Sequence, residues 1–300
     1  MNVSIKIRDL ISEDFPILAN LLRETYENSY EFAFFKEANI HSRIQELNLS
    51  VQIAERNGEI LGTVALRDDQ WGRRIEWLAV QESQDKLSVE DALIQQAEKD
   101  AKSEASVTFV DAKDPQINEW IRRGYTPEDG MCHMVAKLDR LISVPEVSSD
   151  VTLRNMESEE EKELVEIINS IFGRERLKIG FVQEWKSEYP PFDEEWVHLA
   201  ESNNRIVSAV VSRPDKRYNE AFSERRGYLG PAATVSEFRS KHLASALTVR
   251  AMNFLFKNGF ESVALHTSER NIPSLTLLRK LDFEMRQCRK ILRKKLLKKC

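Results

Sequence analysis

The chain has 300 residues, 41% of them hydrophobic and 31% charged, with a net charge of -5. That length fits two domains, each able to bury a core of its own, and no run approaches the roughly 18 apolar residues of a membrane span. An acidic balance argues against generic nucleic-acid binding.

The N-terminus (MNVSIKIRDL) lacks the basic-then-apolar pattern of a signal peptide, so a cytoplasmic protein with no membrane or nucleic-acid partner is expected. Cys132, Cys288 and Cys300 are too few and too scattered for a disulfide framework or a zinc site, which leaves reduced thiols. In chain order, Ile5 to Arg8 reads as a short strand, and Ser12 with Asp14 as the cap of a following helix. Asn57-Gly58, between QIAER and EILGTVAL, is a strong hairpin turn. Pro, Ser and charge interrupt the periodicity over 141–150, a linker. Val151 to Arg154 begins the pattern again, with Ser158 and Glu161 as a capping box and Asn203-Asn204 as a second hairpin turn. A longer strand-to-strand connection runs from Pro214 to Arg226. Then come a strand (YLGPAATV, 228–235), a basic turn (FRSKHLA, 238–244), an amphipathic helix over 245–258, a strand (SVALHT, 262–267) and a helix opened by Asn271 and closed by Asp282-Phe283. Eight of the last fifteen residues are Lys or Arg and none is acidic, a basic outer strand with a solvated end.

The chain repeats itself. Ile5-Lys6-Ile7-Arg8 falls on Val151-Thr152-Leu153-Arg154 at an offset of 146, and Ile53-Ala54-Glu55 falls on Leu199-Ala200-Glu201 at the same offset. Insertions carry it to 154, pairing Ala92-Leu93 with Ala246-Leu247, and to 158, pairing Pro115 with Pro273 and Trp120 to Tyr125 with Leu278 to Phe283. A period this long is two copies of one domain rather than a solenoid. The expected boundaries are 1–140 for the first copy, 141–150 for the linker and 151–300 for the second. Each copy reads as an α+β, three-layer domain, a mixed and mostly antiparallel sheet flanked by helices.

A turn that leaves a strand and starts a helix exposes backbone N–H groups at the positive end of a helix dipole, which suits a phosphate or pyrophosphate. Arg239 and Lys241 add charge there. Arg239-Ser240-Lys241-His242-Leu243-Ala244 matches Q/R-x-x-G-x-G/A except at the fourth position, and Asn271 to Phe283 follows N-x-x-A-x-x-L-Y-x-x-x-G-F imperfectly. On these segments the chain resembles the GNAT superfamily of acyl-CoA-dependent N-acyltransferases, in a tandem form similar to mycothiol synthase. The resemblance implies acetyl-CoA as co-substrate, with its pyrophosphate on Arg239, Ser240, Lys241, His242, Leu243 and Ala244. It places the pantetheine arm on the backbones of Ala233, Thr234 and Val235, with Asn271 and Ser274 beside it. A family Gly stands where His242 does, a position that needs positive φ, and His is among the few other residues enriched there. In the first copy the same place holds Gln81-Glu82-Ser83-Gln84-Asp85-Lys86, with no Gly, no Arg and two carboxylates that would repel a pyrophosphate. Residues 1–140 therefore read as a degenerate copy serving as scaffold or substrate wall.

The usual proton-transfer groups of the family are missing. Leu278, with Trp120 as its counterpart, stands for the Tyr that protonates the thiolate, and Leu229 for the Glu base. Tyr228, if the strand is bulged, and His266 are the substitute candidates, each with a plain packing role as the alternative. Between the first helix and the hairpin, Phe181, Trp185, Tyr189, Phe192 and Trp196 form a partly apolar wall, and Glu184, Glu188 and Asp193 are candidates to hold a cationic amine. The expected function is transfer of acetyl to a small-molecule or protein amine by the second copy, in a monomer or homodimer. The alternative is a non-catalytic acyl-CoA-binding or interaction protein of the same fold.

Overall fold

The computed structural model describes residues 4–26, 37–114 and 116–296; Pro115 and Cys300 lie outside them. The chain divides into two compact units, 1–130 with 289–300, and 131–288.

The first unit takes β1 (Lys6–Asp9), α1 (Phe15–Thr25), α2 (Glu37–Glu46), β2 (Ser50–Arg56), β3 (Glu59–Asp69), β4 (Gly72–Val80), α3 (Lys86–Lys99), β5 (Ala105–Asp111) and α4 (Ile117–Arg122). The next strand, β6 (Thr126–Lys137), leaves that unit at Met131. The second unit continues with β7 (Thr152–Asn155), α5 (Glu161–Phe172), α6 (Phe181–Glu188), β8 (Val197–Ser202), β9 (Arg205–Pro214), α7 (Lys216–Phe222), β10 (Arg226–Thr234), α8 (Leu243–Lys257), β11 (Ser262–Ser268) and α9 (Ile272–Lys280). The closing strand β12 (Glu284–Lys295) returns to the first unit. Neighbouring strands run β1-β2-β3-β4-β5-β12 in the first unit and β6-β11-β10-β9-β8-β7 in the second. Within each unit the strands pair antiparallel except β4 with β5 and β10 with β11, which are parallel.

The compact units therefore depart from a division at 141–150. Each copy's last strand completes the other copy's sheet: β12 pairs with β5 from Arg289↔Asp111 to Lys295↔Ala105, and β6 pairs with β11 from Ser262↔Lys137 to Ser268↔Met131. The basic C-terminal strand is correspondingly not a solvated outer strand. Ile291 and Leu292 are buried, Lys294 meets Glu98 at 2.6 Å, and Arg293 meets Glu128 at 2.8 Å. Local pattern marks these residues as strand, but partner choice is a long-range property that periodicity does not carry.

Apolar residues on both faces of each sheet make three layers. In the first unit Leu18, Leu22 and Ile40 pack on Val51, Ala65 and Trp77, while Leu93, Trp120 and Tyr125 pack on Val64, Leu66 and Ile75. One core of the second unit joins Leu164, Ile168 and Phe181 to Leu199, Val211, Leu229, Leu247 and Leu278. Asn57 and Gly58 (φ +56° and +81°), and Asn203 and Asn204 (+53° and +57°), form the two hairpin turns in the left-handed conformation that such loops require. The long connection from Pro214 contains α7, a helix the sequence reading left out.

The repeat is also electrostatic. Arg8 binds Asp14 (2.6 Å) and Glu55 (2.6 Å), and Arg154, its counterpart at offset 146, binds Glu160 (2.7 Å) and Glu201 (2.7 Å). Asp14 and Glu160 also accept the backbone N–H three residues earlier, from Ile11 (2.9 Å) and Glu157 (2.8 Å). The helix entries are thus capped by these acids, whereas the Ser158 hydroxyl donates to Glu194.

Candidate acyl-CoA and acceptor site

In the second unit, β10 and β11 run parallel only from Arg226↔Ser262 to Tyr228↔Ala264. Beyond Tyr228, β10 carries a bulge between Leu229 and Ala232 in its pairing with β9, which turns the strand away from β11 and opens a wedge. Gly227 makes the close packing behind this point possible, because a Cβ there would lie 2.6 Å from Leu255 of α8. Tyr228, the next residue, projects from the opposite face.

Past the bulge, the Val235 N–H donates to Val207 (2.9 Å), so that residue is committed to the sheet and does not offer a donor to the wedge. Alternation along the ladder turns the N–H groups of Ala232 and Thr234 outward instead and those of Ala233 and Val235 toward β9. Ala232, absent from the sequence-derived set, has an outward N–H, whereas Ala233 and Val235, which were in it, do not. The missing signal is the bulge, which shifts the alternation by one residue.

The loop that follows fits an anion. Arg239 is extended, and Ser240 and His242 both take φ +62°, so two consecutive reversals deliver the chain to α8 at Leu243. Among the described residues, no backbone carbonyl accepts from the N–H groups of Ser240, Lys241, His242, Leu243 or Ala244. Those donors stand at the start of a 15-residue helix, all but buried Leu243 on exposed residues, where a negative group is favoured. Arg239 and Lys241 are exposed beside them, with the Lys241 ammonium 4.5 Å from the Phe238 ring centre. Across the wedge, the Asn271 side chain accepts from the Ser274 N–H (3.2 Å), and Pro273 occupies the first turn of α9. The Thr267 hydroxyl donates to that of Ser274 (3.3 Å). Cap geometry leaves the Asn271 amide NH2 facing outward on an exposed residue. Asp282 takes φ +60°, where the first copy has Gly124 at +88°.

Tyr228 and His266 meet at the apex of the wedge: the phenol oxygen and His266 Nδ1 are 3.1 Å apart. Burial raises the Tyr228 pKa, so the phenol keeps its proton at neutral pH, and the imidazole tautomer sets which of the two groups donates. His266 is exposed and stacks on His133 of β6, with ring centres 4.7 Å apart. Burial first, then the neighbouring His266, pushes His133 down to about 3, which keeps that ring neutral. Leu229 and Leu278, at the usual base and acid positions, are 5% and 3% exposed and belong to the core.

The wall around Tyr228 differs from expectation. Of the three acids expected to hold an amine, Asp193 accepts the Glu195 N–H (2.9 Å) as a cap, while Glu184 and Glu188 are exposed on α6. The charged group that does face Tyr228 is Arg213, its cross-strand partner on β9. Its guanidinium lies 4.5 Å from the Tyr189 ring centre, 4.6 Å from Tyr228 and 5.6 Å from Trp185.

The corresponding place in the first unit is closed. β4 also bulges and pairs with β5 only over Arg73 to Ile75. There, however, Leu78, at the position of Ala232, donates its N–H to the Tyr26 hydroxyl (3.2 Å), which in turn donates to the Leu78 carbonyl (3.3 Å). No residue of 81–86 has positive φ, and Asp85 is paired with Arg56 (2.7 Å) and Glu82 with Lys86.

Among the described residues no cluster of His, Cys, Asp or Glu could hold a metal, and no helix is long and apolar enough to cross a membrane. Cys132 and Cys288 are free thiols. Comparison with known proteins agrees with this anatomy. The fold is similar to a GCN5-related N-acetyltransferase from Sphaerobacter thermophilus, at 16% identity and TM-score 0.75 over 99% of this chain and 97% of that one. It is also similar to a tandem GNAT protein from the clavulanic acid biosynthesis pathway, at 13% identity and TM-score 0.64 over 99% and 100%. A curated relative, N-alpha-acetyltransferase 30 of Schizosaccharomyces pombe, is 25% identical over 103 residues, 34% of this chain and 61% of that protein. The profile of the acetyltransferase (GNAT) family matches residues 7–125 and again 161–283, so the chain belongs to that family, with two copies of its domain.

Proposed function

We propose that the protein is an N-acetyltransferase whose second copy transfers acetyl from acetyl-CoA to an amine, the first copy being a degenerate scaffold. The observation that carries this reading is the open wedge at β10 and β11, with outward N–H groups after the bulge and a protonated Tyr228 at its apex. The unpaired N–H groups of the 240–244 loop, with Arg239 and Lys241, hold a pyrophosphate. Ala232 and Thr234, with Asn271 and Ser274 opposite, line the pantetheine arm, and the Ala232 N–H stabilises an oxyanion. Acetyl-CoA, when bound, supplies the activated acyl group. His266 accepts the proton lost by the attacking amine, Tyr228 gives its proton to the leaving sulfur, and the proton on His266 then returns to the Tyr228 oxygen at Nδ1. A small-molecule or protein amine serves as acceptor, and the protein acts in the cytoplasm as a monomer or homodimer.

Burial of Leu229 and Leu278 in place of the family's base and acid favours a second reading, a non-catalytic acyl-CoA-binding protein. Calorimetric titration of acetyl-CoA into the whole protein and into Arg239→Glu tests both. Roughly micromolar binding that the variant loses is expected; absence of binding in the native protein would sink both readings. Binding without release of CoA to any amine in a broad panel would leave the second.

A further inference from the structure

The proposed acceptor side of Tyr228 is cationic, and its cations are arranged for a ligand. Arg213 is held among three aromatic rings, with one long bond from its guanidinium to the Pro214 carbonyl (3.4 Å). Rings against its faces fix the plane of the guanidinium while its edge keeps N–H donors available. No carboxylate lies within ion-pair distance of Arg213 or of Arg176, among the described residues. The nearby acid Asp215 is already engaged: it takes both Nε (2.8 Å) and a terminal nitrogen (2.7 Å) of buried Arg226. Arg176, held 5.1 Å over the Phe172 ring centre, adds to the positive field on the Tyr228 phenol. A bare cation, such as a simple alkylammonium, would be repelled from such a pocket.

We propose that the acceptor is a small amine that also carries a carboxylate or phosphate, bound by the edge of Arg213 with Arg176 as a supporting charge. The proposal rests on the acetyl-transfer reading for the identity of the amine. Tyr228 and Arg213 are directly opposite on β10 and β9, which puts their Cβ atoms about 5 Å apart. The nitrogen that reacts beside Tyr228 and the anion held by Arg213 are therefore separated by only a few bonds. Amino acids and aminoalkyl phosphates share that chemistry; long polyamines and lysine side chains of proteins lack it.

The test uses product-like probes, which need no turnover. With the full-length protein saturated in CoA, calorimetry compares N-acetylphenylalanine, N-acetyl-O-phosphoethanolamine and the neutral N-acetyl-2-phenylethylamine. At least one anionic probe is expected to bind about tenfold or more tightly than the neutral one. The stronger of the two shows whether carboxylate or phosphate is preferred. That margin should vanish in Arg213→Met and be partly kept in Arg213→Lys, with thermal midpoints showing that both variants are folded. Equal affinities in the native protein, binding of none of the three probes, or a margin that survives in a folded Arg213→Met would each overturn the proposal. Loss of acetyl-CoA binding alone, with the anion preference intact, would instead remove the acetyl-transfer reading and leave the anion site standing.

Discussion

The N–H of Leu78 in the first copy and that of Ala232 in the second occupy equivalent places just past a bulge, on strands that leave their parallel neighbours in the same way. In one copy a tyrosine hydroxyl closes the donor, and in the other none of the described residues does. Tyr26 falls on Phe172 at the repeat offset, and Phe172 has no hydroxyl and is exposed. The loops diverge in step: 81–86 has paired acids and no positive φ, whereas 239–244 has two positive φ values and free N–H groups. A duplicated fold can thus keep its wedge in both copies while a few side chains cover the donor in one and leave it open in the other, because the backbone geometry is maintained by the core and the access to donors is not.

The widest separation between the copies is expected in the proposed chemistry. Tyr228→Phe should reduce kcat on the order of a hundredfold while acetyl-CoA affinity is retained, and steady-state kinetics beside calorimetry would show it. An undiminished kcat would remove Tyr228 from the mechanism and return it to packing.

The shared features sharpen the comparison from the other side. Arg8→Met and Arg154→Met each break the same three-residue network and should each cost roughly 2 kcal/mol, measured by denaturant unfolding. The Arg8 guanidinium holds Asp14 below its ordinary carboxylate range, and Arg154 does the same for Glu160. Because these folded pKa values are depressed, the stabilisation is full above the unfolded values near about 4 and is lost as pH falls through the folded ones. The native protein should therefore lose stability more steeply below that range than either variant. Parallel pH profiles would mean that the networks contribute nothing.

The smallest effect tests what closes the first copy. Tyr26→Phe leaves the Leu78 N–H without its acceptor and should cost about 1 kcal/mol, with the acetyl-CoA stoichiometry unchanged at one per chain in calorimetry. A second site appearing in the variant would show that the hydroxyl, and not the loop over 81–86, is what excludes the cofactor there.

Much of the candidate site was legible before folding. The basic turn and the strands and helices on either side of it stand in sequence order, and the His at the family's Gly position does adopt left-handed backbone. Tyr228 and His266 were each visible as titratable residues, but their meeting depends on a parallel register between residues 36 apart, Tyr228 facing Ala264 two residues before His266. Arg213 was missed because nothing in VSRP marks an arginine as facing a cleft; the aromatic rings that hold it come from a separate segment.

The chain by itself determined the duplication, through its self-similarity at an offset of about 150, and local chemistry determined the hairpin turns, the helix starts and the position of the basic loop, each resting on residues a few places apart. Tertiary structure alone decided which copy each closing strand completes, which N–H groups past the bulge face the wedge, and the sign of charge around Tyr228. Those three depend on strand pairing and on side chains brought together from distant segments, and hydrophobic periodicity contains neither.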